Sequence, residues 1–134
     1  MPGSSSMKAL LDTHAFLWWL SGDDQLSAQA RSWIEAIEHP IFVSAAYAWE
    51  IATKVRIGKL PGAQAVVTNF YEYLIQQGLT PLDITPDHAL RAGSLPGPHR
   101  DPFDRMLIAQ AQALDMLLIS NEDLFDQYGI RRIW

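Results

Sequence analysis

A chain of 134 residues, 49% hydrophobic and 19% charged, has the size and composition of one globular domain with a buried core, not of a disordered or fibrous protein. It contains no cysteine, which excludes disulfides and thiolate metal sites and suits a reducing cytoplasm, and no run approaches the roughly 18 apolar residues of a membrane span. A formal net charge of −5 argues against a strongly basic nucleic-acid binder but leaves room for a nuclease whose carboxylates are neutralised by divalent ions.

The first six residues, MPGSSS, are small and polar and read as a cloning-derived tail, with the natural start at Met7 and a single domain over 7–134. From there the chain alternates. Short apolar runs predict strands at 8–12, 41–44, 79–84, 117–120 and 130–133. Between them, Leu26, Ala30, Trp33, Ile34 and Ile37 fall on one face at helical spacing, as do Val66, Val67, Phe70 and Leu74, and again Phe103, Met106, Leu107 and Leu114. Gly58, Pro61 and Gly62 separate two helical regions, and Pro96–Gly97–Pro98 marks a loop. Strands alternating with helices imply an α/β fold with a mostly parallel sheet covered by helices on both faces. Ligands of such sheets sit beyond the carboxyl ends of the strands, where the strand order reverses, and several predicted strands end there in a polar residue: Asp12, Ser44, and Ser120 followed by Asn121 and Glu122.

The acidic residues at that edge admit two readings each. Asp12 or Thr13 can cap the helix that starts near His14, or Asp12 can be a ligand on a rigid strand end. Glu50 can form an i,i+4 surface pair with Lys54, yet it is flanked by Trp49 and Ile51 on a helix with no other acid. In HRDPFDRMLIAQA, Asp101 and Pro102 read as N-cap and first helical residue, with Asp104 at the third position completing a capping box; Asp104 can equally converge with Asp101 on one cation, with Arg100 and Arg105 balancing the pair or contacting phosphate. Glu122 and Asp123 open a short helix, where acids are ordinary. Carboxylates from four segments, at least three of them at one predicted sheet edge, would repel unless a cation joined them. A hard divalent ion such as Mg²⁺ takes oxygen ligands and is often shared with substrate phosphates, which points to phosphodiester hydrolysis.

Four segments, LLDTHAFLWWL, VSAAYAWEIATKVRIGKL, HRDPFDRMLIAQA and LLISNEDLF, resemble in order and spacing the PIN-domain ribonucleases, and more narrowly the VapC-type toxins of prokaryotic toxin–antitoxin pairs. The resemblance runs from Met7 to the C-terminus. It implies a three-layer α/β/α sandwich with a five-stranded sheet and a Mg²⁺- or Mn²⁺-dependent endoribonuclease acting on RNA, with one or two ions. By motif position Asp12, Glu50 and Asp104 match the three core family acids, and Asp101 the additional acid of the DPFDR subgroup. The fourth family acid falls on Glu122, where the family commonly shows Asp, so Glu122, Asp123 or neither completes the site. Thr13 matches the hydroxyl residue beside the first acid, and Ser120 or Asn121 supplies supporting contacts. His14 and His99 belong to the subgroup pattern, His14 being structural or substrate-facing and not a metal ligand. The resemblance also implies a cognate VapB-type antitoxin, a homodimer and a cytoplasmic location. The residues from Ala15 to Leu20 are apolar around the whole helix, so that helix is either buried on all sides or part of an interface; some of Trp18, Trp19, Trp33 and the helix near Glu50 are expected to line the partner groove.

Three other readings compete with this one. A haloacid-dehalogenase-like phosphatase also places Asp at the end of its first strand, but it needs a second Asp two residues on, where this chain has His14. A non-catalytic PIN-like module binding RNA or protein would have lost acids that are all present here. A non-toxin PIN nuclease of RNA processing shares the same acids.

Overall fold

The computed structural model describes residues 7–97, 99 and 101–134; the expected tail at 1–6 and the candidate Arg100 lie outside them. Five strands form one sheet in the order β3-β2-β1-β4-β5, every neighbouring pair parallel: β1 (Ala9–Leu11), β2 (Ile41–Ser44), β3 (Thr80–Leu82), β4 (Leu117–Ile119) and β5 (Arg132–Ile133). All five predicted strands are present, each within its predicted range. Helices α1 (Thr13–Ser21) and α2 (Ala28–Glu35) connect β1 to β2, and α3 (Ala45–Arg56), α4 (Gln64–Thr68) and α5 (Phe70–Gln76) connect β2 to β3. Helices α6 (Pro86–Ser94) and α7 (Pro102–Leu114) precede β4, and a 3-10 helix (Asp123–Tyr128) leads into β5. The result is the α/β/α layering that alternation of strands and helices predicts.

The central strands are apolar throughout because helices cover both faces of the sheet: Ala9, Leu10 and Leu11 of β1 and Leu117, Leu118 and Ile119 of β4 are all buried. Phe16, Tyr47, Ile51, Leu107, Ile108 and Phe125 join them in one core. The first helix starts directly at the end of β1, with Asp12 accepting from the His14 N–H, and it stops at Gly22, whose left-handed conformation (φ 68°) lets its N–H reach back to the Trp18 and Trp19 carbonyls. Among the described residues no helix is long and apolar enough to cross a membrane.

Several helical expectations need correction. Ile37 lies beyond the end of α2 and is 97% exposed, because the chain turns out at Ala36 before the periodic stripe is complete. The run Val66 to Leu74 is split at Asn69 into α4 and α5. Leu114, at the last position of α7, is 38% exposed; the buried residues of that helix are Leu107, Ile108, Ala109, Gln110 and Ala111. Helix α6 was not predicted. Its amino end is a Thr85 cap with Pro86 as first residue and His88 closing a reciprocal box through its ring nitrogen.

The Trp18–Trp19 pair is turned largely to the chain's own use. Both rings are half-buried against the core, Trp18 beside Trp134 (5.9 Å between centroids), Trp19 donating its indole N–H to Gln77 (3.0 Å) beneath the Arg31 guanidinium. Trp33 stacks on His39 at 4.0 Å. The tryptophan left open is Trp49, 61% exposed, edge-on to Phe103. Truncation at the sheet centre should therefore be far more damaging than at the surface. Leu10→Ala is expected to lose about 2–5 kcal/mol in urea unfolding and Ile37→Ala less than about 0.5 kcal/mol; equal losses would refute this assignment of the core.

Candidate metal centre

Strand order reverses between β1 and β4, so their carboxyl ends flank the crevice at which ligands of open α/β sheets bind. The side chains that follow these ends interlock. Ser120, just after β4, donates its hydroxyl to Asp12 Oδ2 at 2.6 Å, while Asp12 Oδ1 accepts the His14 N–H at 3.0 Å. Ser120 Oγ in turn accepts the Glu122 N–H at 3.0 Å. Thr13 is no cap: its hydroxyl donates to Glu50 Oε1 at 2.6 Å and so ties α1 to α3. Glu50 does make the pair with Lys54 (2.6 Å to Oε2), but not as a surface pair, for Glu50 is buried and lies on the side of α3 facing Asp12. Asp12 is thus the cap of α1 and Glu50 a buried partner of Lys54, and the two carboxylates lie close enough for the charge of one to act on the other.

Asp101 caps α7, accepting the Phe103 and Asp104 N–H groups at 2.8 and 3.1 Å on one oxygen, Oδ1. The capping box expected there is one-sided. The Asp104 carboxylate is turned instead toward His99, whose Nε2 lies 3.0 Å from Asp104 Oδ2 and 3.6 Å from Glu122 Oε1. Glu122 thus faces the cluster, whereas Asp123 lies on the side of Arg132. Asn121 and His14 are exposed, His14 with its ring 5.7 Å from that of Trp18. Arg105 is hydrogen-bonded to none of the acids. Its guanidinium binds three backbone carbonyls, of Ala92 (3.1 Å), His99 (2.9 Å) and Leu95, which makes it the clamp of the loop between α6 and α7.

The electrostatics follow from burial. Desolvation is the largest influence on Asp12 and raises its pKa, opposed by the Ser120 hydroxyl and the His14 N–H. The Asp104 carboxyl is pushed up to about 8, first by burial and then by the charges of Asp12, Asp101, Glu122 and Glu50. All five acids therefore share one field. Tyr47, wholly buried, lies beneath it; burial and the charges of Asp12, Glu50 and Asp104 hold its phenol well above the usual range. Sequence reading missed Tyr47, which looks like one more apolar position on α3; only the sheet edge beside it marks it as part of the site.

This donor set fits a divalent cation. Lys54 is the one basic side chain among the described residues that is hydrogen-bonded to any of the five acids. Two buried polar atoms at the cluster, Tyr47 Oη and His99 Nε2, have no hydrogen-bond partner among the described residues. Carboxylates crowded in this way favour protonation or a hard cation, since each removes like-charge repulsion.

The shift of Asp104 has a measurable consequence in protein stripped of metal. Its folded pKa of about 8 lies above its ordinary value of 3.8, so the folded state binds the extra proton and this group's contribution to stability falls as pH rises from about 4 to 8. Metal-free Asp104→Asn should be more stable than the parent at pH 8, by an amount on the order of 2 kcal/mol after allowance for solvent screening, and the gap should close near pH 4. Chemical unfolding in EDTA across that range checks this; a gap that widens at low pH would contradict it.

The family model described as PIN domain matches residues 9–130. Comparison with curated protein sequences finds no significant match. Among solved structures the chain is similar to one in VapBC2 from Rickettsia felis bound to a promoter DNA fragment, with a TM-score of 0.69 and 16% identity over 94% of this chain and 97% of that one. It is likewise similar to one in VapBC-1 from nontypeable Haemophilus influenzae (TM-score 0.66, 17% identity, 94% and 96%) and in FitAcB from Neisseria gonorrhoeae (0.61, 16%, 92% and 95%). With the matched residues spanning β1 to the turn before β5, the chain belongs to the PIN-domain family.

Proposed function

We propose that the protein is a divalent-metal-dependent endoribonuclease and the toxin of a toxin–antitoxin pair, with Asp12, Glu50, Asp104 and Asp101 holding Mg²⁺ or Mn²⁺ and Glu122 at the margin of the site. The observation that carries the reading is the Asp104 carboxyl, ringed by the charges of four other acids at the carboxyl edge of a parallel sheet. The family supports nuclease chemistry, and the likeness to chains of VapBC and FitAcB assemblies supports the toxin role and an antitoxin of the VapB type.

When bound, such a cation lowers the pKa of a water and stabilises charge on the phosphate and leaving oxygen. The chain's own residues supply the rest. Ser120 and the His14 N–H fix both oxygens of Asp12, Thr13 and Lys54 fix those of Glu50, and Asp101 anchors the first turn that carries Asp104. Ligands locked in this way are held near one geometry before any ion or RNA arrives. Arg56 and Lys59, exposed at the end of α3, are available to the RNA backbone. Trp49, exposed one residue before Glu50 and packed on Phe103, offers an apolar seat for the antitoxin beside the acids, and Trp18, Trp19 and Trp33 contribute less to that surface than the sequence suggests. A homodimer in the cytoplasm completes the proposal.

Purified protein should cleave RNA with Mg²⁺ or Mn²⁺ and not in EDTA. Asp12→Asn, Glu50→Gln and Asp104→Asn should each lower the rate at least about a hundredfold, equivalent to about 3 kcal/mol, with circular dichroism unchanged. Cleavage that persists in EDTA or in Asp104→Asn would sink the mechanism. Because the Asp104 proton must leave before the cation enters, the apparent metal affinity should rise roughly tenfold per pH unit below about 8, with proton release seen by calorimetry in buffers of different ionisation enthalpy.

A further inference from the structure

Among the described residues, the three side chains whose ligand atoms approach one another as a metal-holding group are His99, Asp104 and Glu122, all within 4.8 Å of each other. This trio contains a nitrogen donor, unlike the all-oxygen set considered above. The His99 side chain is only 7% exposed, and its Nε2 is buried without a hydrogen-bond partner. A nitrogen 3.0 Å from a carboxylate oxygen would ordinarily be bonded to it. Here the geometry between them is not that of a hydrogen bond, and a buried ring nitrogen is left without a partner beside two carboxylates. Two ligands set at right angles about 2.1 Å from one ion lie about 3.0 Å apart, which is the separation of His99 Nε2 from Asp104 Oδ2.

The position of His99 is built from outside the site. Its N–H donates to the Tyr128 hydroxyl at 2.9 Å and its carbonyl accepts from Arg105 at 2.9 Å, so both ends of the residue are held. The Tyr128 ring sits directly over Gly97, at φ +112°, where a Cβ would lie 2.7 Å from the phenol oxygen; only glycine admits that approach. The His99 ring lies against the buried Phe125, at 5.7 Å. Glu122 is held at its backbone by Ser120, the same hydroxyl that grips Asp12. Loop, 3-10 helix and α7 together carry one imidazole to two carboxylates.

We infer that His99, Asp104 and Glu122 form a mixed nitrogen–oxygen cation subsite that takes a first-row transition ion of the Mn²⁺ class in preference to Mg²⁺. Imidazole is a poor ligand for Mg²⁺, which seeks hard oxygens, and a better one for transition ions. The inference rests on the divalent-metal reading of the site and adds to it which ion the chain selects and through which atom.

The test uses the full chain and Mn²⁺ as probe. Pulsed electron paramagnetic resonance of bound Mn²⁺ should show modulation from a directly coordinated ¹⁴N, and His99→Asn, whose shorter side chain cannot reach the trio, should abolish it. The Mn²⁺ affinity of that variant should fall roughly ten- to hundredfold by calorimetry while its Mg²⁺ affinity changes less than about twofold. Folding of His99→Asn is checked by a melt in EDTA. If it does not fold, Glu122→Gln, on a partly exposed side chain, carries the comparison and should show the same selective loss of Mn²⁺. Bound Mn²⁺ without ¹⁴N modulation would overturn the inference and leave the carboxylate site standing. Modulation that survives His99→Asn would overturn it in favour of another nitrogen such as His14. Failure of both ions to bind would overturn both readings.

Discussion

The hydroxyl of Ser120 on the carboxylate of Asp12 joins residues 108 positions apart in the chain and closes the seam between β1 and β4, where the strand order reverses. Everything at the site is hung from that contact. Asp12 is fixed as cap of α1, which places Thr13 under Glu50; Ser120 also holds the backbone of Glu122 and so sets one wall of the acidic crevice. A short charge-assisted hydrogen bond in a buried setting is among the stronger contacts available to a protein, and removing one partner leaves the other unsatisfied. The core around it is ordinary α/β packing. What is unusual is that so many carboxylates are brought to one place with so little positive charge beside them.

That imbalance explains how local and functional roles coexist. An N-cap, an i,i+4 pair and a helix-start acid are each sufficient reasons for Asp101, Glu50 and Asp12 to be where they are. None of these roles uses all the lone pairs of a carboxylate, which can accept about four hydrogen bonds or ligands. The same contacts that stabilise the helix starts therefore aim the unused lone pairs. Stability and site construction are not in competition at these positions.

The strands and the four acidic segments were legible in the sequence because both leave period-independent signals: short apolar runs between turn residues, and single acids in apolar surroundings. Helix α6 was not, since its buried residues are few, Leu90 on it is 71% exposed, and its start uses Thr85, Pro86 and His88, with a histidine where the usual capping pattern has Glu or Gln. Arg105 beside two aspartates looked electrostatic; three backbone carbonyls without partners in secondary structure outcompete them for its planar donors. The roles of Tyr47 and His99 depend on which segments meet at the sheet edge, and that is a property of topology. The cover of the tryptophan pair depends on topology too, because a helix apolar all round can pack against a segment distant in its own chain, as Trp18 does against Trp134.

The position of β1 at the middle of the sheet has a bearing on when such a site can exist. As the chain leaves the ribosome, β1 and β2 can pair early, but the other neighbour of β1 is β4, more than one hundred residues later, and β5 follows it. Pairing across such separations is slow to nucleate and waits for those later residues to be made. Asp12 and Glu50 emerge well before Asp104, Ser120 and Glu122. A chain made only as far as β3 carries two of the five acids and none of the clamp that holds Asp12, so topology itself delays the assembled centre until β4 and Ser120 have been made.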